Sequence, residues 1–265
     1  MLKVLELFSG TGSIGKCCKE LGYDVLSLDN GLPADINIDI MEWDYENSIY
    51  KPGDFDVIWA SPPCRTFSNM RHTWIGRAMK EHNGALLTHE LLQQDIETKG
   101  LPILYKALEI IDYFNPVVYF IENPNSSKMK FTMDDISPYY VVDYCKYADW
   151  GYQKRTRIWT DCKYFNPKLC KKDCNSICYS LIKGTCRHRV NIGFTDGTKA
   201  IQEAAGIYNG EIKSTRTTLA DRYRIPPKLC EDLMKAAITH INVKNSNLTN
   251  LTLEPVEDTA GNIIP

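Results

Sequence analysis

An α/β domain built on a mostly parallel sheet is predicted by three features of this sequence. Over residues 1–160, short apolar runs alternate with segments of helical spacing. A turn carrying Gly10, Gly12 and Gly15 separates the first run from the first helix. Residues able to do chemistry recur just after the runs, where such sheets bind ligands.

Taken in order, residues 2–8 read as a buried strand, and the helix after the glycines carries Cys17, Cys18 and Leu21. Gly22 and Tyr23 end that helix, and residues 25–28 form a second strand. A third short strand is expected near residues 36–40 and a fourth over 55–60. The Leu, Ile and Tyr spacing of 101–114 predicts a helix, and Pro116 opens a strand over 117–121. Residues 140–147 and 157–160 read as two more strands. The organisation is therefore a main domain (1–160), a small cysteine-rich lobe (161–218), a helix returning to the main domain (219–241) and a polar tail or late strand (242–265).

Composition narrows the function classes. A chain of 265 residues with 43% hydrophobic content can bury a sizeable core and is not disordered as a whole. No apolar stretch approaches the ~18 residues of a membrane span, and residues 1–8 contain Glu6 and no leader-like run. An intracellular protein is expected, so the ten cysteines are read as core residues, metal ligands or catalytic groups. The sequons at Asn247 and Asn250 are then expected to stay unglycosylated. With 31 Lys and Arg against 33 Asp and Glu, net charge argues against a nucleic-acid partner, but the average misleads. Residues 161–190 hold five Lys and two Arg against Asp161 and Asp173.

Four motifs carry chemistry. Phe8-Ser9-Gly10-Thr11-Gly12 lies between a strand and a helix, where glycines permit close approach of a ligand and the helix start offers N–H groups. Asp29 follows at the spacing of a ribose-hydroxyl ligand, and Asp39-Ile40 could hold an adenine edge. Ser61-Pro62-Pro63-Cys64-Arg65 places a thiol beyond a strand end behind stiffening prolines. The thiol is a nucleophile or a buried core cysteine. Glu122-Asn123-Pro124 puts a carboxyl group on the same sheet edge, as a proton donor or as a solvated or capping glutamate. In Gln153-Lys154-Arg155-Thr156-Arg157 the two arginines share one face of a strand, suited to a phosphate or base carbonyl, or to an exposed basic edge.

In this order the four motifs resemble those of the cytosine-C5 DNA methyltransferase family. The resemblance covers roughly the first 160 residues. Ser13 departs from the family's second consecutive glycine. Residues 222–227 stand where a Gly-Asn-x-Val-Pro motif is expected, and 261–265 match that motif by letter without a following helix.

The resemblance implies a Rossmann-like S-adenosylmethionine-dependent methyltransferase fold with a small irregular target-recognition lobe, S-adenosylmethionine as cofactor, and a monomer acting on double-stranded DNA. It implies that Cys64 adds to cytosine C6, that Glu122 protonates N3, that Asn123 positions the Glu122 loop, and that Arg157, assisted by Arg155, holds the base O2. The implied cofactor contacts are Phe8, Ser9, Gly10, Thr11 and Gly12, then Asp29, Asn30, Asp39 and Ile40, with Ser61 and Pro63. The target base must leave the helix stack, and the loop 65–80, with Arg71, Arg77 and Lys80, could close over it and meet phosphates.

Between the arginine strand and the last motif, Cys170-x3-Cys174-x3-Cys178-x7-Cys186-x-His188 could hold a structural zinc with four of its members, or be a set of thiols in an irregular loop. Lys163, Lys168, Lys171, Lys172, Lys183, Arg187 and Arg189 would face DNA. Cys17, Cys18, Cys145 and Cys230 read as packing residues. A tRNA cytosine-C5 methyltransferase, a catalytically silent DNA-binding homologue and a nicotinamide-dependent dehydrogenase are the rival readings. The last leaves the Pro-Pro-Cys and Glu-Asn-Pro motifs without a role.

Overall fold

The computed structural model describes residues 1–180, 185–188, 207–208, 211–212, 223–252, 256–257 and 263–264. Its centre is a six-stranded sheet in the order β2-β1-β3-β4-β6-β5, formed by β1 (Lys3–Leu7), β2 (Asp24–Leu28), β3 (Val57–Ala60), β4 (Val118–Pro124), β5 (Tyr139–Asp143) and β6 (Arg155–Trp159). β1 to β4 run parallel, and β6 is antiparallel to both neighbours. This is the α/β, Rossmann-like sheet expected.

Strand alternation sends successive side chains to opposite faces. Val4, Val57, Trp59, Val118, Phe120 and Ile158 pack on one face against α1 (Ser13–Glu20) and the C-terminal helix. Leu5, Leu7, Ile58, Ile121 and Trp159 pack on the other against α3 (Leu101–Phe114), through Leu104, Ala107 and Ile110. Both faces are covered, which is why these strands read as nearly continuous apolar runs. Ahead of α3 lie α2 (His89–Asp95) and a wide turn, Ile96–Gly100, which the sequence reading left out. A Cβ on Gly100 would fall 2.6 Å from Thr66 Oγ1 and 2.9 Å from the Phe67 ring, so a glycine here lets the loop after β3 lie against the start of α3.

Several expectations change. The third strand near 36–40 is only a single bridge, Leu28 to Ile36. The carboxylate of Asp35 accepts from the Ser27 N–H and hydroxyl, and that of Asp39 accepts from the Met41 N–H, so local side-chain bonds replace a strand ladder. β5 stops at Asp143, and Tyr144–Lys146 forms a 3-10 turn. After α4 (Lys130–Met133), the last helix among the described residues, α5 (Pro227–Thr252), takes in residues 242–252 that were read as tail. Past Ile241 the sequence has no apolar stripe to mark its continuation. Val256–Glu257 pairs with Ile263–Ile264, the segment whose letters mimic the late motif.

In the small lobe, β7 (Ile177–Ser180) and β8 (Thr185–His188) form an antiparallel hairpin where irregular chain was expected. Lys183, Arg189 and Arg222 lie outside the described residues, as does most of 189–222. No helix among the described residues is long and apolar enough to cross a membrane.

Candidate active site

The site forms where β1, β3 and β4 end side by side. Register aligns Leu7 with Ala60 and Ala60 with Ile121, so the residues just beyond β1 and β3 emerge beside Glu122, Asn123 and Pro124, the last residues of β4, which runs past the strand expected over 117–121. Cys64 lies four positions after Ala60 and is partly exposed, while Glu122 and Asn123 follow Ile121 and are buried. The end of β4 is latched to the loop after β3: Asn123 Nδ2 donates to the Pro62 carbonyl at 2.8 Å. Farther out, Asn69 Nδ2 donates to the Ser126 carbonyl at 2.6 Å, and Lys128 N–H to the Phe67 carbonyl at 2.8 Å. Ser61 is held through its hydroxyl by the Trp59 indole N–H at 2.8 Å.

Glu122 has two partners the sequence reading missed. Its Oε1 accepts from the Tyr144 hydroxyl at 3.1 Å and lies 3.5 Å from the Lys154 ammonium. Burial, reinforced by the Glu122 charge, raises Tyr144 well above the ordinary phenol range, so it remains an O–H donor. A signal for Lys154 was available: alternation puts it on the opposite face from Arg155 and Arg157, and Glu122 is registered against Ile158 on that face.

Neither arginine meets Glu122. Arg155 forms a fork on Asp143, Nε to Oδ1 at 3.0 Å and Nη2 to Oδ2 at 2.8 Å. Arg157 shares a register position with Asn123, donates to the Asn125 side chain at 3.1 Å and to Asp134, and stacks 4.0 Å above the Tyr139 ring. The arginines do share a face, as expected, but each is bound by an acidic residue that the sequence reading did not pair with it.

In the first motif, Phe8, Gly10 and Gly12 all have positive φ (58°, 54° and 66°), a tight turn that glycine eases. Gly10 N–H donates to Asp29 Oδ2 at 2.8 Å, and Asp29 Oδ1 accepts from Gly31 and Leu32 N–H, each at 2.8 Å. Asn30 Nδ2 reaches Asp39 Oδ2 at 3.1 Å, which joins the two acidic positions, and Ile40 is buried beside them.

The start of α1 is not open to a ligand in the way expected. Glu6, buried beneath the turn, accepts from Ile14 N–H at 3.2 Å and Gly15 N–H at 3.0 Å. Burial pushes its carboxyl up to about 7, against the lowering effect of those two bonds. Ser13, the departure from the family pattern, has a partner of its own: its hydroxyl accepts from Ile225 N–H at 3.1 Å. That bond ties the segment read as the late motif to the first one.

The loop 65–80 is braced by the residues that follow it. Arg71, expected to meet phosphates, is buried and paired with Asp95 at 2.6 Å and Glu81 at 2.9 Å. Lys99 and His82 also reach Asp95, at 2.5 and 3.0 Å. Burial alone would raise Asp95, but the bonds from Lys99, Arg71 and His82 hold it down at about 2. Arg65 pairs with Glu81.

In the small lobe the side chains of Cys178 and Cys186 lie outside the described residues. Cys170, Cys174 and His188 come together there, and the residue that joins them is Cys145, read from sequence as a packing residue. Cys17, Cys18 and Cys230 do pack in the core, as expected.

The chain is 40% identical over 236 residues to a Frog virus 3 (isolate Goorha) protein named "Probable DNA (cytosine-5)-methyltransferase", a match spanning 88% of this chain and 99% of that protein. This chain belongs to the DNA (cytosine-5)-methyltransferase family. No protein-family model matches it. Among solved structures, a protein described as a DNA modification methyltransferase, encoded within an E. coli prophage, is 14% identical with a TM-score of 0.39; the match covers 64% of this chain and 52% of that one.

A methyltransferase of this family uses S-adenosylmethionine, and the residues present fit it. The Ser9 hydroxyl is buried beside the glycine turn without a hydrogen-bond partner, an atom that a bound polar group would satisfy. Asp29 uses three of the roughly four acceptor positions of a carboxylate, which leaves one for a hydroxyl. The carbonyl oxygen of Asn123 is a second buried orphan, beside the Cys64 loop.

Proposed function

We propose that this methyltransferase acts on cytosine in double-stranded DNA and that Cys64 is its nucleophile. The observation that carries the reading is the Asn123 to Pro62 bond, which fixes the carboxyl-bearing end of β4 against the thiol-bearing loop after β3. The name of the viral relative supports the substrate.

Cytosine C5 is too weak a nucleophile to take a methyl group unaided. Addition of the Cys64 thiolate to C6, with Glu122 delivering a proton to N3, moves an electron pair to C5. The bound cofactor supplies an electrophilic methyl on a sulfonium. Once C5 carries the methyl group, loss of the C5 proton and return of the N3 proton to Glu122 break the C6–S bond, release the Cys64 thiolate and restore the ring. Tyr144 and Lys154 hold the Glu122 carboxyl in place, and Asn123 holds its loop.

Phe8 to Gly12, with Ser61 and Pro63, would line the cofactor. Asp29 would take the ribose, and Asn30, Asp39 and Ile40 the adenine side. Arg157, whose Nε and Nη1 are held by Asn125 and Asp134, would offer the base O2 a further N–H of its guanidinium.

Purified chain incubated with duplex DNA and, in parallel, with tRNA tests the substrate. 5-Methylcytosine in the DNA alone is expected, and sequencing gives its context. Product confined to tRNA would overturn the DNA assignment.

A further inference from the structure

We propose that Cys145, Cys170, Cys174 and His188 bind one zinc ion, which fastens the small lobe to the catalytic sheet. His188 Nε2 lies 3.2 Å from Cys145 Sγ, 3.4 Å from Cys174 Sγ and 3.6 Å from Cys170 Sγ. All four ligand atoms lie within 4.8 Å of one another. Zinc bound tetrahedrally at about 2.3 Å from sulfur and about 2.0 Å from nitrogen spaces N and S by roughly 3.5 Å. The observed distances cluster around that value.

Hydrogen bonding does not account for the arrangement, because one imidazole nitrogen carries at most one proton and faces three sulfurs. A cation at the centre satisfies all four atoms. Three thiolates and an imidazole select zinc over magnesium or calcium, which prefer oxygen. Four protein ligands close the shell, the pattern of a structural rather than a catalytic ion.

The placement assigns the ion its purpose. Cys145 sits in the turn after β5, Cys170 and Cys174 in the loop that follows β6, and His188 at the end of β8. Cys170 N–H donates to Asp143 Oδ2 at 2.8 Å, the carboxylate that also holds Arg155. Lys146 pairs with Asp173 at 3.0 Å and Gly151 N–H with Ser176 Oγ at 3.2 Å, so polar contacts already seat the loop against the sheet. The metal would add the hairpin to that seat, in a lobe too small for its own core.

Metal analysis of the full chain, purified without chelator, tests this without reference to DNA or methyl transfer. Stoichiometric zinc is expected. Cobalt loading should give the intense visible bands of a tetrahedral thiolate site. Cys145→Ser and His188→Ala should reduce bound metal to about a tenth or less, while Cys178→Ser should keep it. Because a ligand variant can fail to fold, the cobalt spectrum of the unaltered chain stands as the independent reading. Absence of zinc and of the cobalt bands in the unaltered chain, or loss of metal in Cys178→Ser as severe as in Cys145→Ser, would overturn the proposal.

Discussion

The catalytic edge and the cysteine cluster of the small lobe are assembled in opposite ways. At the catalytic edge, Cys64 follows β3 by four residues while Glu122 and Asn123 stand in the last residues of β4, and the parallel register of β1, β3 and β4 brings them together. In the lobe, one ligand comes from the turn after β5, two from a loop and one from a hairpin strand, with 43 positions between Cys145 and His188. A motif beside a strand end carries its position with it, whereas a cluster drawn from three places does not.

The comparison predicts where substitutions bite. Cys64→Ser at the catalytic edge should remove methyl transfer, by roughly a thousandfold or more, while cofactor affinity changes less than about twofold. Turnover assays with calorimetry check both, and residual turnover near normal would mean that another group attacks. Arg71→Ala should cost about 3 kcal/mol of stability, since it strips a buried partner from Asp95; chemical denaturation measures it. A cost below about 1 kcal/mol would mean that Lys99 and His82 suffice. Asn123→Ala releases the latch on Pro62. A fall in kcat of about tenfold to a hundredfold is expected, with cofactor affinity kept. Equal loss of both would show that Asn123 supports the fold and not the alignment.

The last prediction concerns pH. The folded-state carboxyl of Glu6 is raised to about 7 from an ordinary value of 4.5. The folded chain therefore retains a proton that the unfolded chain releases. The stabilisation that this gives is fully present below the ordinary value and is lost as pH rises through about 7. Glu6→Gln should flatten the fall in stability across that window. Unfolding curves at the two ends check it, and an unchanged slope would assign the titration elsewhere.

How far the sequence was legible follows the same division. Strand alternation and the glycine turn predicted the sheet and the first motif, because burial on both faces writes apolar runs into the chain. Cys64, Glu122 and Asn123 were legible as neighbours of strand ends. The polar partners were not: Tyr144, Asp143 and Asp134 are distant in sequence from the side chains they hold, the first two brought in by the β4–β6–β5 register and Asp134 by the end of α4. Arg71 looked like a surface cation because the buried Asp95 that neutralises it lies 24 residues away. Cys145 was hidden in an apolar run that reads as core, and the regular cysteine spacing of the lobe drew attention to Cys178 and Cys186 instead.

The most direct test of the central claim is to trap the covalent step. A duplex carrying 5-fluorocytosine, incubated with the chain and S-adenosylmethionine, blocks the final elimination because fluorine at C5 cannot leave as a proton does. The account predicts a denaturation-resistant protein–DNA adduct whose peptide map places the linkage at Cys64. No adduct, or one at a different cysteine, would contradict it.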